Sequence, residues 1–155
     1  MDYSLIAKGY NELYEEEQLE KLNFIKTLLK VKKTDKLLDV GCGTGISTNY
    51  FKCKAIGVDP SSEMIKLSKG DLRVACAESL PFKDQSFDIV ISITAIQNFT
   101  NIKKAVKEMK RVLKPKGKLI ITILKRSKKV SEIKLLLKEF KVYEIEKDLV
   151  FMKEF

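Results

Sequence analysis

The sequence predicts an α/β protein built on a doubly wound, mostly parallel β-sheet with helices on both faces. Three observations support this fold class. Short apolar segments alternate with segments of helical periodicity, which is the pattern of parallel strands joined by helices. The runs FDIVISI (87–93) and KLIITIL (118–124) are apolar throughout, as in strands buried on both faces. A glycine-rich stretch follows the first predicted strand, at the place where such sheets bind ligands.

The first half of the chain begins with a long helix and continues with short elements. Apolar residues recur at helical spacing over residues 4–30, and a group of acids forms the polar side of this helix: Glu12, Glu15, Glu16, Glu17 and Glu20. The pattern then predicts strands at 36–40, 54–58 and 72–76, a helix at 45–51, and a second helix that begins at Ser61, a suitable N-cap residue.

The second half continues the alternation and ends in a hairpin. The pattern predicts strands at 87–93 and 118–124, helices at 101–113 and 131–140, a turn at 115–117, and hairpin arms at 142–146 and 149–153. At 155 residues the chain fits a single domain of ordinary size. We predict one domain over 1–155, divided into an N-terminal helical region (1–30), a core (36–125) and a terminal part (126–155).

Cysteine and histidine usage limits the chemistry that the chain can perform. The three cysteines include no CxxC pair, and the chain has no histidine, so neither a disulfide framework nor a metal site is expected. No apolar run approaches the ~20 residues that span a membrane. The N-terminal segment also lacks the pattern of a secretory signal. We therefore expect a cytoplasmic protein.

The stretch LLDVGCGTG places glycines at 41, 43 and 45, directly after the first strand. Glycines there let the backbone approach a ligand closely and adopt positive φ angles. The dinucleotide fingerprint GxGxxG fails because position 46 is isoleucine, and no Gly-Lys-Ser/Thr phosphate loop exists. Asp59 ends the second strand, where a carboxylate can accept hydrogen bonds from both ribose hydroxyls. The pattern indicates a site for a nucleoside without a pyrophosphate cradle.

Four segments in order, DVGCGTG, GVDPSSEMI, ESLPFKDQSFDIVIS and RVLKPKGKLIIT, resemble the successive motifs of class I S-adenosylmethionine-dependent methyltransferases of the type 11 kind. The resemblance covers about residues 1–125, and the last helix and hairpin fit the remaining elements of the family. It implies a Rossmann-like, seven-stranded sheet with a C-terminal antiparallel hairpin. It also implies S-adenosyl-L-methionine as the cofactor and methyl transfer as the activity.

The resemblance also implies roles for individual residues. Asp39 and the loop formed by Gly41, Cys42, Gly43 and Gly45 would hold the methionine part of the cofactor. Asp59 would bind the ribose, and Pro60 or Ser61 would border the adenine. Thr94 and Ala95 would lie under the methionine and the reacting methyl group.

Two further roles come from the resemblance. Ala77 and Glu78 would lie against the adenine edge, but Cys76 replaces the acid that commonly accepts the adenine amino group. Either Glu78 or a backbone carbonyl would then take its place. In relatives the N-terminal segment folds over the cofactor, so Tyr3 or Tyr10 would cover it, and we assign Tyr10 to the cofactor site. Ordinary packing is the alternative for both tyrosines.

The acceptor is expected beside the segment ISITAIQNF (91–99). It contains neither Asn-Pro-Pro-Tyr nor a cysteine nucleophile, and it resembles the corresponding stretch of the eukaryotic small-subunit rRNA guanine-N7 methyltransferase. We assign Thr94, Gln97 and Asn98 to catalysis, with the two amides hydrogen-bonding a base edge and Phe99 stacking on it. Alternatively, Gln97 and Asn98 cap the helix that starts near Asn101.

The net charge of +9 is concentrated in residues 103–129, which hold twelve Lys/Arg and a single acid. Within this segment Lys125, Arg126, Lys128 and Lys129 follow the fifth strand, so they are expected at the rim of the site, where they could contact RNA phosphates. Solubility, or a thermophile surface, is the alternative explanation. The rRNA enzyme's relatives pair with a small zinc-binding activator, which makes a heterodimer conceivable; no membrane partner is expected. A small-molecule or protein acceptor, or a non-catalytic cofactor-binding subunit, remains open.

Overall fold

The computed structural model describes the backbone of residues 3–155 and the side chains of residues 12–155. The helices along these residues are α1 (Tyr3–Leu29), α2 (Ile46–Tyr50), α3 (Ser62–Lys66), α4 (Ile102–Val112) and α5 (Val130–Leu136). The strands are β1 (Lys36–Val40), β2 (Lys54–Asp59), β3 (Leu72–Val74), β4 (Phe87–Ser92), β5 (Leu113–Leu124), β6 (Lys141–Glu144) and β7 (Asp148–Glu154). A short 3-10 turn, Ile96–Asn98, lies between β4 and α4.

The seven strands form one sheet in the order β3-β2-β1-β4-β5-β7-β6. The pairs among β1 to β5 are parallel, whereas β7 is antiparallel to both β5 and β6. The chain builds the sheet outward from β1 in one direction and from β4 in the other. The carboxyl ends of these two strands therefore flank the point where the strand order reverses, which is where such sheets bind ligands. The predicted fold class, including the C-terminal antiparallel hairpin, is confirmed.

Helices cover both faces of the sheet because each presents an apolar side to it. On one face α1 buries Leu22, Ile25 and Leu29 against residues of β1, β4 and β5. On the other face α4 buries five apolar side chains, Ile102, Ala105, Val106, Met109 and Val112, and α5 adds Ile133 to the same cluster. Among the described residues, no helix combines the length and the apolar character needed to cross a membrane.

The structure moves three predicted boundaries. The turn predicted at 115–117 lies inside β5, whose pairing with β4 jumps from Phe87–Leu113 to Ile89–Lys118. The chain does bend there, since Lys116 has a φ of 66°. However, β5 pairs with β4 both before and after this bend, so the bend interrupts one strand and does not separate two elements. The last helix ends at Leu136, before the predicted residue 140, because the apolar residues beyond it pack in the core from non-helical backbone. Likewise β3 ends at Val74, two residues early.

Asp39 fixes the short helix α2 to the end of β1. Its side chain is fully buried, and its Oδ2 accepts hydrogen bonds from the hydroxyls of Ser47 and Thr48 in α2. This contact replaces an ordinary N-cap, because the cap position is Gly45, which has no side chain to accept a hydrogen bond. Burial raises the pKa of Asp39 to about 6; the two hydroxyls oppose this shift, and the charge of Asp59 adds to it.

Asp39→Asn should change how stability depends on pH. The pKa of Asp39 is raised from 3.8 to about 6, so its contribution to stability is fully present below pH 4 and is lost as the pH rises through 6. The wild type should therefore lose about 2 kcal/mol of unfolding free energy relative to the variant between pH 4.5 and 7.5, since each pKa unit corresponds to about 1.4 kcal/mol. Urea unfolding at the two pH values measures this difference.

Asp88→Asn is the matched control for this experiment. The pKa of Asp88 is lowered mainly by the hydrogen bond from the Lys36 amide; burial opposes this shift, and the hydrogen bond and charge of Lys114 add to it. A lowered carboxyl pKa gives stability that is present at neutral pH and lost as the pH falls. The pH effect of this variant should therefore have the opposite sign. Parallel stability curves for wild type and Asp39→Asn would contradict the burial of a charged carboxylate at position 39.

Candidate functional site

A cavity of about 730 Å³, the first cavity, opens at the carboxyl edge of the sheet, beside the ends of β1, β2 and β4. A volume of this size can bury a ligand of several hundred daltons. Its walls come from six parts of the chain: the glycine loop (Gly41–Thr44), α2 (Ile46, Ser47), the end of β2 (Asp59, Pro60), α3 and the residue after it (Met64, Leu67), the segment after β4 (Ile93–Ala95, Asn98, Phe99) and α1 (Tyr14, Glu15, Gln18).

The three glycines of the loop all have positive φ angles, but they serve different purposes. A Cβ at Gly41 would lie 2.5 Å from the Cβ of Ala95, and one at Gly45 would lie 2.6 Å from a methyl group of Leu72. Packing therefore requires glycine at position 41, where the neighbouring atom is a Cβ, whereas at position 45 the Leu72 methyl group can move and the φ of 89° is what favours glycine. A Cβ at Gly43 would meet no atom of the described residues within 4 Å, although this residue lines the first cavity. A side chain at Gly43 would therefore project into open space beside the first cavity.

Asp59 stands at the end of β2 with its carboxylate at the cavity wall. Its Oδ2 accepts a hydrogen bond of 2.9 Å from the Gly43 amide, and its Oδ1 accepts one of 2.9 Å from the Ser61 amide. These bonds fix the orientation of the carboxylate. Each oxygen retains further acceptor capacity, so the group is suited to receive a pair of vicinal hydroxyls.

Asp39, at the end of β1, and Cys42, in the glycine loop, are two further polar groups close to the first cavity. The Oδ1 atom of Asp39 is buried and has no hydrogen-bond partner among the described residues, so it could accept a bond from an ammonium group or from a bridging water. Asp39 does not itself line the first cavity. Burial, reinforced by the charges of Asp39 and Asp59, raises the pKa of Cys42 to about 12. The Cys42 thiol therefore stays protonated and is unsuited to act as a nucleophile.

The residues predicted for the adenine are divided between the cavity and its surroundings. Pro60 lines the first cavity, whereas Ala77 is packed in the core and Glu78 accepts a hydrogen bond of 3.3 Å from the amide of Asn101 at the start of α4. Met64 and Leu67 line the same side and were not identified from the sequence. Their spacing of three residues on a helix that follows Asp59 is the signal that could have found them.

The predicted catalytic residues lie together after β4 but make different contacts. Thr94 and Asn98 line the first cavity, and Thr94 has a φ of 51°. Gln97 donates a hydrogen bond of 2.9 Å to the carbonyl of Thr94, and its buried Oε1 has no partner within the described part of the chain. Neither amide caps α4, because the side chain of Asn101 performs that role by accepting from the amide of Lys104.

The long helix α1 supplies one wall of the site. The side chains of Tyr3 and Tyr10 lie outside the described residues. Tyr14 and Gln18 line the first cavity, and Lys21 lies one turn further along. These three residues were missed by the sequence analysis, although their spacing of four and three residues puts them on one helix face.

A second cavity of about 580 Å³ adjoins the first, and both are lined by Tyr14, Gln18 and Thr94. Its apolar walls are formed by Leu13, Phe24, Leu124 and Ile145. Its charged walls are formed by Glu17, Glu20, Lys21, Arg126, Glu146, Lys147 and Asp148. The two cavities therefore meet at Tyr14, Gln18 and Thr94.

The four basic residues predicted at the rim are not equivalent. Lys125 forms an ion pair of 2.8 Å with Glu144, and Lys129 donates a hydrogen bond of 2.8 Å to the carbonyl of Gln97. Arg126 and Lys128 are exposed, and neither side chain makes a hydrogen bond or ion pair with residues 12–155. Further exposed lysines lie along α4: Lys103, Lys104, Lys107 and Lys110.

The chain matches the family of the methyltransferase domain over residues 38–121. It is 38% identical over 125 residues to an uncharacterized protein of Methanocaldococcus jannaschii, covering 78% of this chain and 49% of the relative. It is 35% identical over 107 residues to the demethylmenaquinone methyltransferase of Thermotoga maritima (63% and 46% covered). A Bos taurus protein named probable tRNA methyltransferase 9B is 34% identical over 110 residues (64% and 24% covered). The chain spans about half the length, or less, of these relatives.

Two solved structures have the same fold. One is a SAM-dependent methyltransferase of Thermotoga maritima described as a possible histamine N-methyltransferase, with a TM-score of 0.77, 23% identity and 96% and 95% of the two chains covered. The other is the chain bound to the Trm112 methyltransferase activator in a Haloferax volcanii complex, with a TM-score of 0.77, 18% identity and 96% and 94% covered. The first cavity has room for an adenosyl ligand, because the Cβ position of Gly43 lies in open space and Asp59 offers carboxylate acceptors at the cavity wall. The chain belongs to the methyltransferase domain family.

Proposed function

We propose that the chain transfers a methyl group to a base in structured RNA, with S-adenosyl-L-methionine in the first cavity and the base in the second. The observation that carries the RNA part is the set of exposed cations at the carboxyl edge of the sheet. Arg126 lines the second cavity, and Lys128 lies two residues further along the chain. The first half of α4 adds three exposed lysines, Lys103, Lys104 and Lys107. Such a surface attracts the phosphate backbone of a nucleic acid.

The cofactor supplies a methyl group that is already activated by a sulfonium. The remaining work of the protein is to bind, to align and to exclude water. On this proposal Asp59 receives the ribose hydroxyls, the backbone at Gly43 lies against the ligand, and the free Oδ1 of Asp39 faces the amino acid end. Met64 and Leu67 cover the side of the cavity where the adenine would lie.

The second cavity suits a flat acceptor. Tyr14 lines both cavities and Phe24 lines the second, so aromatic faces are available for a base to stack on. The amide of Asn98 is exposed at the rim of the first cavity, where it could hydrogen-bond a base edge. A ring nitrogen such as guanine N7 attacks with a free lone pair and loses no proton first. The absence of histidine from the chain is therefore compatible with this acceptor.

A small amine acceptor is the second candidate, and a different observation favours it. The second cavity is lined by Glu17 and Glu20 of α1 and by Glu146 from the turn between β6 and β7. The pKa of Glu17 is lowered mainly by its hydrogen bond from Lys147, so this acid is charged and paired at neutral pH. Glu20 and Glu146 would attract a cationic metabolite and repel a phosphate.

We also propose that a small zinc-binding activator binds the β3 edge of the sheet. β3 is an edge strand whose outer backbone groups can pair with a strand of a partner. Apolar side chains are exposed beside it, with Val74 56% and Leu67 80% exposed. The Haloferax volcanii neighbour, which is bound to such an activator, supports this proposal.

The cofactor assignment predicts that Asp59→Ala and Gly43→Val both weaken S-adenosyl-L-methionine binding. Loss of hydrogen bonds to a charged carboxylate should reduce affinity at least ~10-fold, and a valine at Gly43 should fill the ligand space. Calorimetric titration measures both. Gln85→Val is the matched control, because Gln85 has a φ of 53°, close to the 56° of Gly43, and does not line the cavity. Unchanged affinity in folded variants would refute the assignment.

The RNA assignment predicts that Arg126→Ser/Lys128→Ser weakens RNA binding and flattens its salt dependence by about 1.5 units of log–log slope, at ~0.7–0.9 per lost phosphate contact. The affinity for S-adenosyl-L-methionine should stay the same. Lys33→Ser/Lys52→Ser is the matched control, because these exposed lysines precede β1 and β2 at the opposite edge of the sheet. RNA filter binding over a salt series gives the slopes. If both double variants change RNA binding equally, or if neither changes it, the result would contradict the RNA assignment and favour the amine acceptor.

The partner assignment predicts that Val74→Lys abolishes binding of the Haloferax volcanii Trm112 activator, because the charge would be buried in the new interface. Val142→Lys is the matched control on the opposite edge strand, β6, where Val142 is 50% exposed. Size-exclusion chromatography of mixtures detects the complex. Failure of the wild type to form a complex, or equal loss in both variants, would contradict binding at the β3 edge.

A further inference from the structure

Thr94 lies where the first and second cavities meet, and it is held there by a buried group of polar side chains. We call Lys21, Thr94, Thr122 and Asp148 the Thr94 cluster. Its members come from α1, the segment after β4, β5 and β7. The cluster therefore joins the helix that lines both cavities to the strands beneath them.

Every polar atom of Thr94 has a partner in or next to this cluster. Its Oγ1 accepts a hydrogen bond of 2.6 Å from the Lys21 ammonium and lies 3.1 Å from the Oδ2 of Asp148, to which it donates. Its amide donates to the hydroxyl of Thr122 at 2.8 Å. Its carbonyl accepts from the Gln97 side chain at 2.9 Å. Four elements of the fold thus determine the position of one residue.

The backbone of Thr94 is in an unfavourable conformation that these contacts maintain. Its φ of 51° lies in the left-handed region, which β-branched residues rarely adopt. Strained residues of this kind persist where the surroundings over-determine them, and they concentrate at functional sites. The strain is located at the boundary between the two cavities, where the donor and the acceptor of the methyl group would meet.

Lys21 and Asp148 form an ion pair of 2.9 Å in which the two side chains are only 8% and 4% exposed. Lys21 also donates to the Oε1 of Gln18 at 3.0 Å. A buried ion pair is a poor way to gain stability, because apolar residues of similar volume stabilise as well or better. Its directional hydrogen bonds, by contrast, fix positions that apolar packing leaves adjustable.

We propose that Lys21 and Asp148 are positioning residues for methyl transfer, which hold Thr94 and α1 so that the acceptor in the second cavity is aligned with the cofactor in the first. The proposal rests on the proposed function, in that it requires the acceptor to enter the second cavity. Neither residue needs to take up a proton. They contribute by fixing the positions of Thr94 and α1 where the two cavities meet. A displacement of about 1 Å in the alignment of the reacting groups can cost ~100-fold in rate.

Lys21→Met/Asp148→Leu tests the proposal without leaving a single buried charge. The variant should fold, and its loss of S-adenosyl-L-methionine affinity should be much smaller than its loss of rate, because Gly43 and Asp59 are untouched although Thr94 and Gln18 also line the first cavity. The rate of transfer of a labelled methyl group at saturating acceptor should fall ~100-fold, with little change in the acceptor concentration for half-maximal rate. Total RNA is the first acceptor pool, followed by total protein and a small-molecule extract. The matched control is Lys153→Gln/Glu139→Gln, which removes a surface ion pair between β7 and the segment before β6, and neither residue lines a cavity.

A second readout is independent of the acceptor. The amide of Thr94 should exchange with solvent slowly in the wild type and at least ~10-fold faster in Lys21→Met/Asp148→Leu, while the amides of the glycine loop keep their protection. Unchanged exchange at Thr94, wild-type transfer rates, or a rate loss matched by a loss of cofactor affinity would each overturn the positioning role. Methylation of a pool other than RNA would refute the RNA proposal alone, and the variant would then be tested on that pool.

Discussion

The attachment of the glycine loop to the end of β2 is the interaction on which the site depends. The amides of Gly41 and Cys42 both donate to the carbonyl of Val58, at 2.8 and 2.9 Å, and the amide of Gly43 donates to the carboxylate of Asp59. Three consecutive amides therefore bind the last two residues of the neighbouring strand. This arrangement fixes the loop against the wall that carries Asp59, and it keeps Gly43 at the first cavity.

The sequence was sufficient for the parts of the fold and site that depend on local pattern. Apolar runs predicted the strands, and the glycines and Asp59 were predicted to lie together because the glycines follow the first predicted strand and Asp59 ends the second. The structure places Gly41, Gly43 and Asp59 at the wall of the first cavity. The Thr94 cluster could not be found in this way. Lys21 belongs to a helix whose acidic residues dominate its polar side, and Asp148 occupies a position that reads as an ordinary hairpin turn. Only the tertiary arrangement, in which β7 pairs with β5 beside α1, brings the two together.

The amino-acid composition also could not distinguish lysines that form ion pairs or hydrogen bonds with other residues of the chain from lysines whose ammonium groups are available to a partner. Lys125 and Lys129 belong to the same short basic segment as Arg126 and Lys128, yet the first two are engaged by Glu144 and by the carbonyl of Gln97. The bond from Lys129 supports the 3-10 turn beside Thr94, so this lysine stabilises the site. A charge run thus divides into cations that build the site and cations that face solvent, and the division depends on which acids and carbonyls lie opposite.

The two sides of the site carry opposite charge, which constrains how a polyanion could approach. The exposed surface of α1 contributes acids, including Glu15 at the first cavity and Glu17 and Glu20 at the second, whereas the exposed residues of α4 are almost all lysines. These helices pack on opposite faces of the sheet. A nucleic acid backbone would therefore be repelled along α1 and attracted along α4 and the segment around Lys128. On the RNA proposal, the phosphates would remain on the basic face while the base enters the second cavity, whose α1 wall carries Glu17 and Glu20. The acids of α1 would then disfavour any orientation that places a phosphate in that cavity.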